Sequence, residues 1–209
     1  MLDNPVAHPT PTEMLQIQPE DWLAFLSLPD VFGTITAPSP LYIDLGSGKG
    51  RFLLATAATH PDIYYLGIER KLDRVRRTER KALRQGLMNI RLLRAEAVYT
   101  VRYLLPDDSV DLYYIFFPDP WPKRRHHKNR LFNQSEFMAD LHRTLKPGGL
   151  VHFATDHLPY HAEVQANLAQ DSRWQMVSPF LPSPNEQTDF ELRAMEQGLE
   201  IGRTSFVKI

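Results

Sequence analysis

Carboxylates and a run of cations are the residues of this chain whose types and spacing could do chemistry. Asp44, Glu69 and Glu96 each stand at or just after an apolar, strand-like segment. Asp119 lies in the stretch FPDPWPKRRHHKNR (117–130), where two prolines bracket it and five Lys or Arg follow. Carboxylates accept hydrogen bonds from hydroxyl and amino groups, and clustered cations attract phosphate. The pattern predicts an acidic binding site beside a basic surface.

The stretch DLGSGKG (44–50) follows the first long apolar segment and opens a predicted helix. Glycines in such a loop let the backbone turn tightly and approach a ligand. The spacing is not that of a phosphate-binding P-loop, because no Ser or Thr follows Lys49, and it is not GxGxxG. It resembles the loop D/E-x-G-x-G-x-G of S-adenosylmethionine-dependent methyltransferases. Dinucleotide oxidoreduction stays open as an alternative that fits the glycine spacing less well.

The acids Asp44, Glu69 and Glu96 follow three successive predicted strands, at the edge where open α/β sheets bind ligands. Glu69 could accept both ribose hydroxyls of a nucleoside, and Glu96 could reach an exocyclic adenine amine. The competing interpretation is that Asp44, Glu69 and Glu96 each simply cap the next helix. Their regular recurrence favours a cofactor that contains a nucleoside.

Alternating strands and helices predict an α/β fold, a doubly wound and mostly parallel sheet of seven strands. The last two strands could form an antiparallel hairpin. Residues 1–40 read as a proline-rich arm with one short helix near 20–28, and residues 41–209 as the folded domain. The expected strands are 41–46, 63–69, 89–95, 110–117, 150–156, 174–180 and 204–209, and the expected helices of the domain are 50–60, 71–86, 97–105, 134–145, 160–169 and 190–197.

Composition excludes several classes of protein. The chain has 209 residues, a net charge of -1 and no cysteine, so disulfides and thiolate metal sites are ruled out. No apolar run approaches a membrane span, and the N-terminus lacks the features of a signal peptide, so a cytoplasmic protein without a membrane partner is expected. Charge is uneven: residues 70–94 hold ten Lys or Arg against Asp73 and Glu79. Such local fields can steer a polyanion whatever the net charge.

Residues 40–209 closely resemble the bacterial tRNA (guanine-N7-)-methyltransferases, the TrmB family. The resemblance rests on DLGSGKG, GIER, FPDPWPKRRHHKNRL, ATD (154–156) and TDFE (188–191). It implies a Rossmann-like class I methyltransferase that converts S-adenosyl-L-methionine to S-adenosyl-L-homocysteine while methylating N7 of guanine 46 in the tRNA variable loop. A tRNA partner, no DNA, no metal, and a monomer or homodimer are expected.

The resemblance also implies a role for individual residues. Asp119 is the expected catalytic residue and also a cofactor contact. The other expected cofactor contacts are Asp44, Gly46, Gly48, Glu69 and Glu96. The expected substrate contacts are Lys123, Asp156, Thr188, Asp189, Phe190 and Glu191, and the expected RNA contacts are Arg125, His126, His127, Lys128, Asn129 and Arg130. The chain departs mildly from the family at three positions. Asp44 stands where Glu is usual, Glu96 stands where Asp is usual, and Asn129 stands in a segment where basic side chains are common.

The chemistry agrees with this interpretation, because guanine N7 carries an exposed lone pair and needs no deprotonation. Catalysis should come from alignment and from carboxylates that bind the guanine edge, a task that Asp119, Asp156 and Glu191 could share. Simpler interpretations stay open: Thr188 and Glu191 match a capping box, and Trp121 could pack against its turn instead of stacking on a base. A methyltransferase acting on another RNA or on a small molecule, and a non-catalytic RNA-binding module, are the alternative functions.

Overall fold

A mixed, mostly parallel sheet of eight strands organises the protein, with helices around it. The computed structural model describes residues 15–32 and 39–209. The strands are β1 Gln16–Ile17, β2 Leu41–Leu45, β3 Tyr64–Ile68, β4 Ile90–Leu93, β5 Val110–Phe116, β6 Leu145–Thr155, β7 Trp174–Val177 and β8 Gly202–Lys208. Their order across the sheet is β1-β4-β3-β2-β5-β6-β8-β7.

Helices connect these strands in the manner of a doubly wound fold. They are α1 Leu28–Phe32, α2 Arg51–Thr59, α3 Leu72–Arg84, α4 Ala97–Tyr99, α5 Ser135–Thr144, α6 Leu158–Ala169 and α7 Asp189–Glu196. A π-helical segment, Thr100–Leu104, continues α4, and two short 3-10 segments cover Arg124–Asn129 and Leu131–Asn133. None of the helices in the described ranges is both long and apolar enough to cross a membrane.

The sheet reverses direction at its C-terminal end, as expected. β8 pairs antiparallel with both β6 and β7, while the pairs from β1 to β6 are parallel. The predicted α/β class, the parallel order and the final hairpin are therefore confirmed. Parallel strands β2 to β6 bring their carboxyl ends to one edge, which is where ligands bind in such sheets.

The expectation of seven strands is wrong, because a short eighth strand comes from the N-terminal arm. β1 lies parallel to β4, and Leu92 N–H donates to the Leu15 carbonyl at 2.8 Å. The Glu79 carboxylate accepts the backbone N–H groups of Leu15 and Gln16 at 3.2 and 3.1 Å. Two residues are too short to show a strand period, so this pairing depends on contacts made across the fold.

The helix expected over residues 20–28 is also wrong. The described chain forms bends and turns there, and a helix begins only at Leu28. Tertiary hydrogen bonds replace intrahelical ones: Leu26 N–H donates to the Leu104 carbonyl at 2.8 Å, and the Tyr99 hydroxyl donates to the Trp22 carbonyl at 2.5 Å. The rest of the arm prediction, residues 1–14 and 33–38, lies outside the described residues.

Apolar residues pack on both faces of the sheet and leave its carboxyl edge free for polar groups. One face buries Ile43, Ile115 and Phe153 against α5 and α6, and the other buries Tyr65 and Leu92 beneath α2 and α3. This two-sided burial explains why the central strands read as continuous apolar runs. The loops that follow β2, β3, β4, β5 and β6 carry the candidate site.

Candidate cofactor and substrate cleft

The glycine loop that follows β2 is held in a shape that only glycine adopts easily. Gly46, Gly48 and Gly50 have φ values of +93°, +57° and +74°. A Cβ at Gly50 would lie 2.6 Å from Thr78 Oγ1, so the loop packs directly on α3. A Cβ at Gly46 would meet nothing within 4 Å. The loop therefore combines one tightly packed glycine with an open backbone surface that faces the cleft.

Asp44 is a buried carboxylate at the base of the cleft. Asp44 is 5% exposed and lines a cavity beside the glycine loop. Its carboxylate accepts no hydrogen bond from the described residues. Burial, reinforced by repulsion from Glu69, raises the pKa of Asp44 to about 7. A buried carboxylate of this kind gains from a cationic partner. The base of the cleft thus fits a ligand group that carries a positive charge.

Glu69 follows β3 and is paired from two directions. Its Oε1 accepts the Lys71 backbone N–H at 2.9 Å, and its Oε2 accepts from the Arg74 guanidinium at 3.3 Å. Arg74 itself lines the cavity. The sequence does not mark Arg74 as a cleft residue, because it is one of ten Lys or Arg within residues 70–94. Glu69 lies at the expected strand end, and Arg74 occupies its second oxygen.

Glu96 caps the helix that follows β4. Its carboxylate accepts the Tyr99 backbone N–H at 2.8 Å, and its side chain is exposed beside the π-helical segment. The capping role proposed as the simpler interpretation is therefore present. Because a carboxylate has further acceptor sites, this bond leaves capacity for a ligand.

The turn that carries Asp119 is strained and anchored at both ends. Phe117 and Trp121 have φ values of +51° and +42°, a region that costs non-glycine residues energy and recurs at functional sites. Phe117 N–H donates to the Ala154 carbonyl at 2.8 Å, and the Pro120 carbonyl accepts from Arg130 Nε at 2.8 Å. Asp119 is exposed between these anchors. The ring centroids of Trp121 and His126 are 5.8 Å apart, which supports packing of the Trp121 ring against its own turn.

The start of α7 forms the opposite wall of the cleft. Thr188 Oγ1 accepts the Glu191 backbone N–H at 2.9 Å, so the expected cap is present. The Phe190 ring stacks on Phe117, with centroids 6.2 Å apart and planes at 17°, which ties this wall to the Asp119 turn. Glu191 is 3% exposed, and its carboxylate accepts a close hydrogen bond from Arg203 of β8. No sequence signal identified Arg203.

The cavity unites many of the expected residues. Of the described residues, its lining consists of Asp44, Gly46, Ser47, Gly48, Lys49, Arg51, Phe52, Arg74, Phe116, Thr188, Asp189, Phe190 and Arg193. Asp119, Asp156 and Lys123 are exposed in loops that follow β5 and β6, outside this lining. The cations Arg51 and Arg193 were not expected; Arg51 Nε donates to the Gln187 carbonyl at 3.1 Å.

The basic segment after the turn divides into exposed and buried parts. Lys123, Arg124, Arg125 and Lys128 are exposed, and the described residues provide them with no ion pair. Arg130 is 1% exposed, and its guanidinium pairs with Glu163 and lies 4.8 Å from the Tyr160 ring centre.

The RNA contact expected of Arg130 stays a prediction. In this structure its side chain is turned to the interior, where it joins the turn to α6. His126 and His127 are half-buried, and Lys128 and Asn129 remain exposed.

Among the described residues, no cluster of three His, Asp or Glu side chains could hold a metal ion.

Comparison with known proteins places this geometry in a class. Its fold matches the crystal structure of the 16S rRNA methyltransferase KamB with a TM-score of 0.60 at 16% identity, covering 81% of this chain and 87% of that one. Residues 38–204 match the family model described as "Putative methyltransferase". The family model and the shared fold place the chain among the methyltransferases.

Sequence similarity then identifies the family. The chain is 37% identical over 179 residues to the tRNA (guanine-N(7)-)-methyltransferase of Halorhodospira halophila, covering 82% of this chain and 76% of that protein. It is 36% identical over 186 residues to the enzyme of the same name from Nitrosomonas eutropha, covering 88% and 81%. The chain belongs to the tRNA (guanine-N(7)-)-methyltransferase family.

Proposed function

We propose that this protein transfers a methyl group from S-adenosyl-L-methionine to N7 of guanine 46 in the variable loop of tRNA. The observation that carries the proposal is the joint cleft of the glycine loop, the buried Asp44 and the TDFE segment, in a chain of this family. The position within the tRNA rests on the family resemblance. We further propose residues 41–209 as the catalytic domain, with residues 15–32 as an extension that packs onto it.

The residues present fit the cofactor by their chemistry. S-adenosyl-L-methionine supplies an electrophilic methyl group on a cationic sulfur, and it carries an ammonium group as well. Asp44 would hold positive charge, because its buried carboxylate has no hydrogen-bond donor among the described residues. Gly46 and Gly48 offer open backbone, and Glu96 retains acceptor capacity for the adenine amine. Glu69 would bind the ribose hydroxyls through Oε2. This oxygen accepts a hydrogen bond from Arg74 in the structure, so the ribose would replace the Arg74 guanidinium there.

The base requires orientation more than proton transfer. Asp119 and Asp156 are exposed carboxylates after β5 and β6, and we assign them to the N1–H and N2–H₂ edge of guanine. Such contacts would align N7 with the methyl group and favour the positive charge that develops on the ring. The anchored turn around Asp119 would hold its carboxylate in place without a rearrangement during the reaction.

Glu191 receives a different role from the one that sequence reasoning allowed. Since its carboxylate is buried and paired with Arg203, we assign it to positioning α7 instead of binding guanine directly. Thr188 and Asp189 line the cleft, and Phe190 stacks on Phe117, so the segment would present these three residues to the substrate. The Glu191–Arg203 pair would fix this wall to β8.

The exposed segment 123–129 would bind the tRNA backbone beside the cleft. Lys123, Arg124, Arg125 and Lys128 project to solvent, and phosphate contacts of this kind position an RNA without reading its sequence. His126, His127 and Asn129 lie in the same short helical segment and could add further polar contacts. We propose a cytoplasmic location for an enzyme of this substrate, with no DNA or membrane partner, as a monomer or homodimer.

A methyl-transfer assay tests the proposal directly. Unmodified tRNA transcript is incubated with the purified protein and methyl-labelled S-adenosyl-L-methionine, and the RNA is digested to nucleosides. We expect label in 7-methylguanosine, and we expect it to be lost when guanine 46 is changed to adenine. Label in another nucleoside would overturn the substrate assignment but keep the cofactor. Cofactor binding without transfer to any tRNA would instead favour the non-catalytic RNA-binding module.

A further inference from the structure

One side of α3 forms an exposed cationic surface that the chemistry of the cleft does not use. Val75, Thr78 and Ala82 are the buried residues of this helix and define its inner side. Arg77, Arg80 and Arg84 are all exposed and, at 100° per residue, lie on the opposite side. We call these three residues the α3 basic face. Their spacing of three and four residues places the guanidinium groups in one row.

The charge of this face is not neutralised within the described structure. Arg77, Arg80 and Arg84 form no ion pair there, and the helix contains only two acids. Glu79 is turned inward, where it binds the backbone of β1 through Leu15 and Gln16. Asp73 stands four residues before Arg77 on the exposed side, but the two form no ion pair in the described structure, so i,i+4 pairing does not balance the charge of the face.

The face begins near the cleft and runs away from it. The helix starts where Lys71 N–H binds Glu69, and Arg74 in its first turn lines the cavity. A helix of 13 residues is about 20 Å long at 1.5 Å per residue. A small substrate in the cleft could not reach Arg84, but a polyanion with one nucleotide in the cleft could extend along the whole row.

We propose that the α3 basic face binds phosphates of the tRNA at a distance from the methylated guanine. The inference rests on the proposed function, which makes tRNA the polyanion at this cleft. Arginine suits the role because its planar guanidinium can donate two hydrogen bonds to one phosphate. The face lacks aromatic side chains for base stacking, so its contacts would position the RNA independently of sequence.

The test compares three double variants for binding of unmodified tRNA transcript across a range of salt concentrations. Arg77→Gln/Arg84→Gln removes two charges from the face, and Arg77→Lys/Arg84→Lys keeps them. Lys146→Gln/Arg173→Gln removes two cations that already pair with Asp111 and Asp171 elsewhere, as a charge-matched control.

We expect the glutamine variant of the face to bind about tenfold more weakly near 0.1 M salt, with a log–log salt slope shallower by about 1.5 to 2. Its KM for tRNA should rise while kcat stays within about twofold, since the reacting groups are untouched. The lysine variant keeps both charges, so it should retain the salt slope of the unaltered protein, and the charge-matched control should retain both its slope and its affinity. Equal slopes and affinities for the two glutamine variants would overturn the inference.

The readout separates this inference from the proposed function. If the unaltered protein binds tRNA but forms no 7-methylguanosine, the proposed reaction fails, while the salt slopes still decide whether the face binds RNA. If the protein methylates tRNA and the face variant matches its control, the reaction stands and the inference fails. Lack of any tRNA binding by the unaltered protein would overturn both.

Discussion

Replacing Asp44 by Asn should stabilise the protein at neutral and alkaline pH while weakening cofactor binding. Burial and the nearby Glu69 raise the pKa of Asp44 from 3.8 to about 7. A carboxyl whose pKa is higher when folded binds more protons in the folded state. The stability of the unaltered protein therefore falls as pH rises from about 4 to 7, and this loss is complete above the folded pKa.

The size of the effect follows from the shift. A rise of about three units at about 1.4 kcal/mol each gives an upper value of about 4 kcal/mol at pH 8. Since the effective dielectric constant around buried groups exceeds that of dry protein, we expect about half of this, roughly 2 kcal/mol. Asn keeps the shape of the side chain and carries no charge, so Asp44→Asn should recover that free energy of unfolding.

Urea unfolding at pH 4, 6 and 8 measures the effect, with Asp119→Asn as the matched control because Asp119 is exposed. The advantage of Asp44→Asn should be near zero at pH 4 and grow to its full value by pH 8. Calorimetry should show S-adenosyl-L-methionine binding weakened about 30-fold or more, since about 2 kcal/mol of charge pairing is lost. An advantage that does not change with pH, or a variant less stable at pH 8, would refute the reasoning.

Three further changes test the turn, the α7 wall and the glycine loop. Asp119→Asn should lower kcat at least 100-fold, with an unfolding midpoint within about 1 °C of the unaltered protein, because the carboxylate is exposed and acts on the base; steady-state kinetics and a thermal melt check this. Arg203→Met should cost about 3–5 kcal/mol in urea unfolding by leaving Glu191 buried without its partner, and Glu191→Leu in the same chain should restore most of that loss if the pair alone is responsible. Gly50→Ala should cost about 2–4 kcal/mol through its left-handed φ and the collision with Thr78, and the same measurement on Gly50→Ala/Thr78→Ala should recover part of it.

The sheet and the position of the cleft could be predicted because their signals are local. Each central strand is a short apolar run followed by a turn and a helical period, and parallel strands must present their carboxyl ends together. The sequence therefore predicts Asp44 and Glu69 at one edge, and the cleft contains Asp44, with Glu69 paired to its lining residue Arg74. The antiparallel end of the sheet followed from the long connection before β8.

The features that escaped prediction depend on partners distant in sequence. Gln16 pairs with Glu79 across 63 residues, and Arg130 pairs with Glu163 across 33. Nothing within the RRHHKNR stretch distinguishes Arg130 from its exposed neighbours, and only the fold places α6 beneath it. Arg203 was missed for the same reason, since a single cation in a terminal strand carries no periodic signal.

The electrostatic field in the cleft depends more on the burial of its charged groups than on their number. Four cations line it, Lys49, Arg51, Arg74 and Arg193, against the carboxylates of Asp44 and Asp189. A count would predict a site for anions. Lys49, Arg51 and Arg193 are exposed, however, so water and salt screen them, whereas Asp44 is enclosed and its field is felt at short range. The same cleft can thus hold a cationic cofactor at its base and meet phosphate at its rim, which is the division that methyl transfer to an RNA base requires.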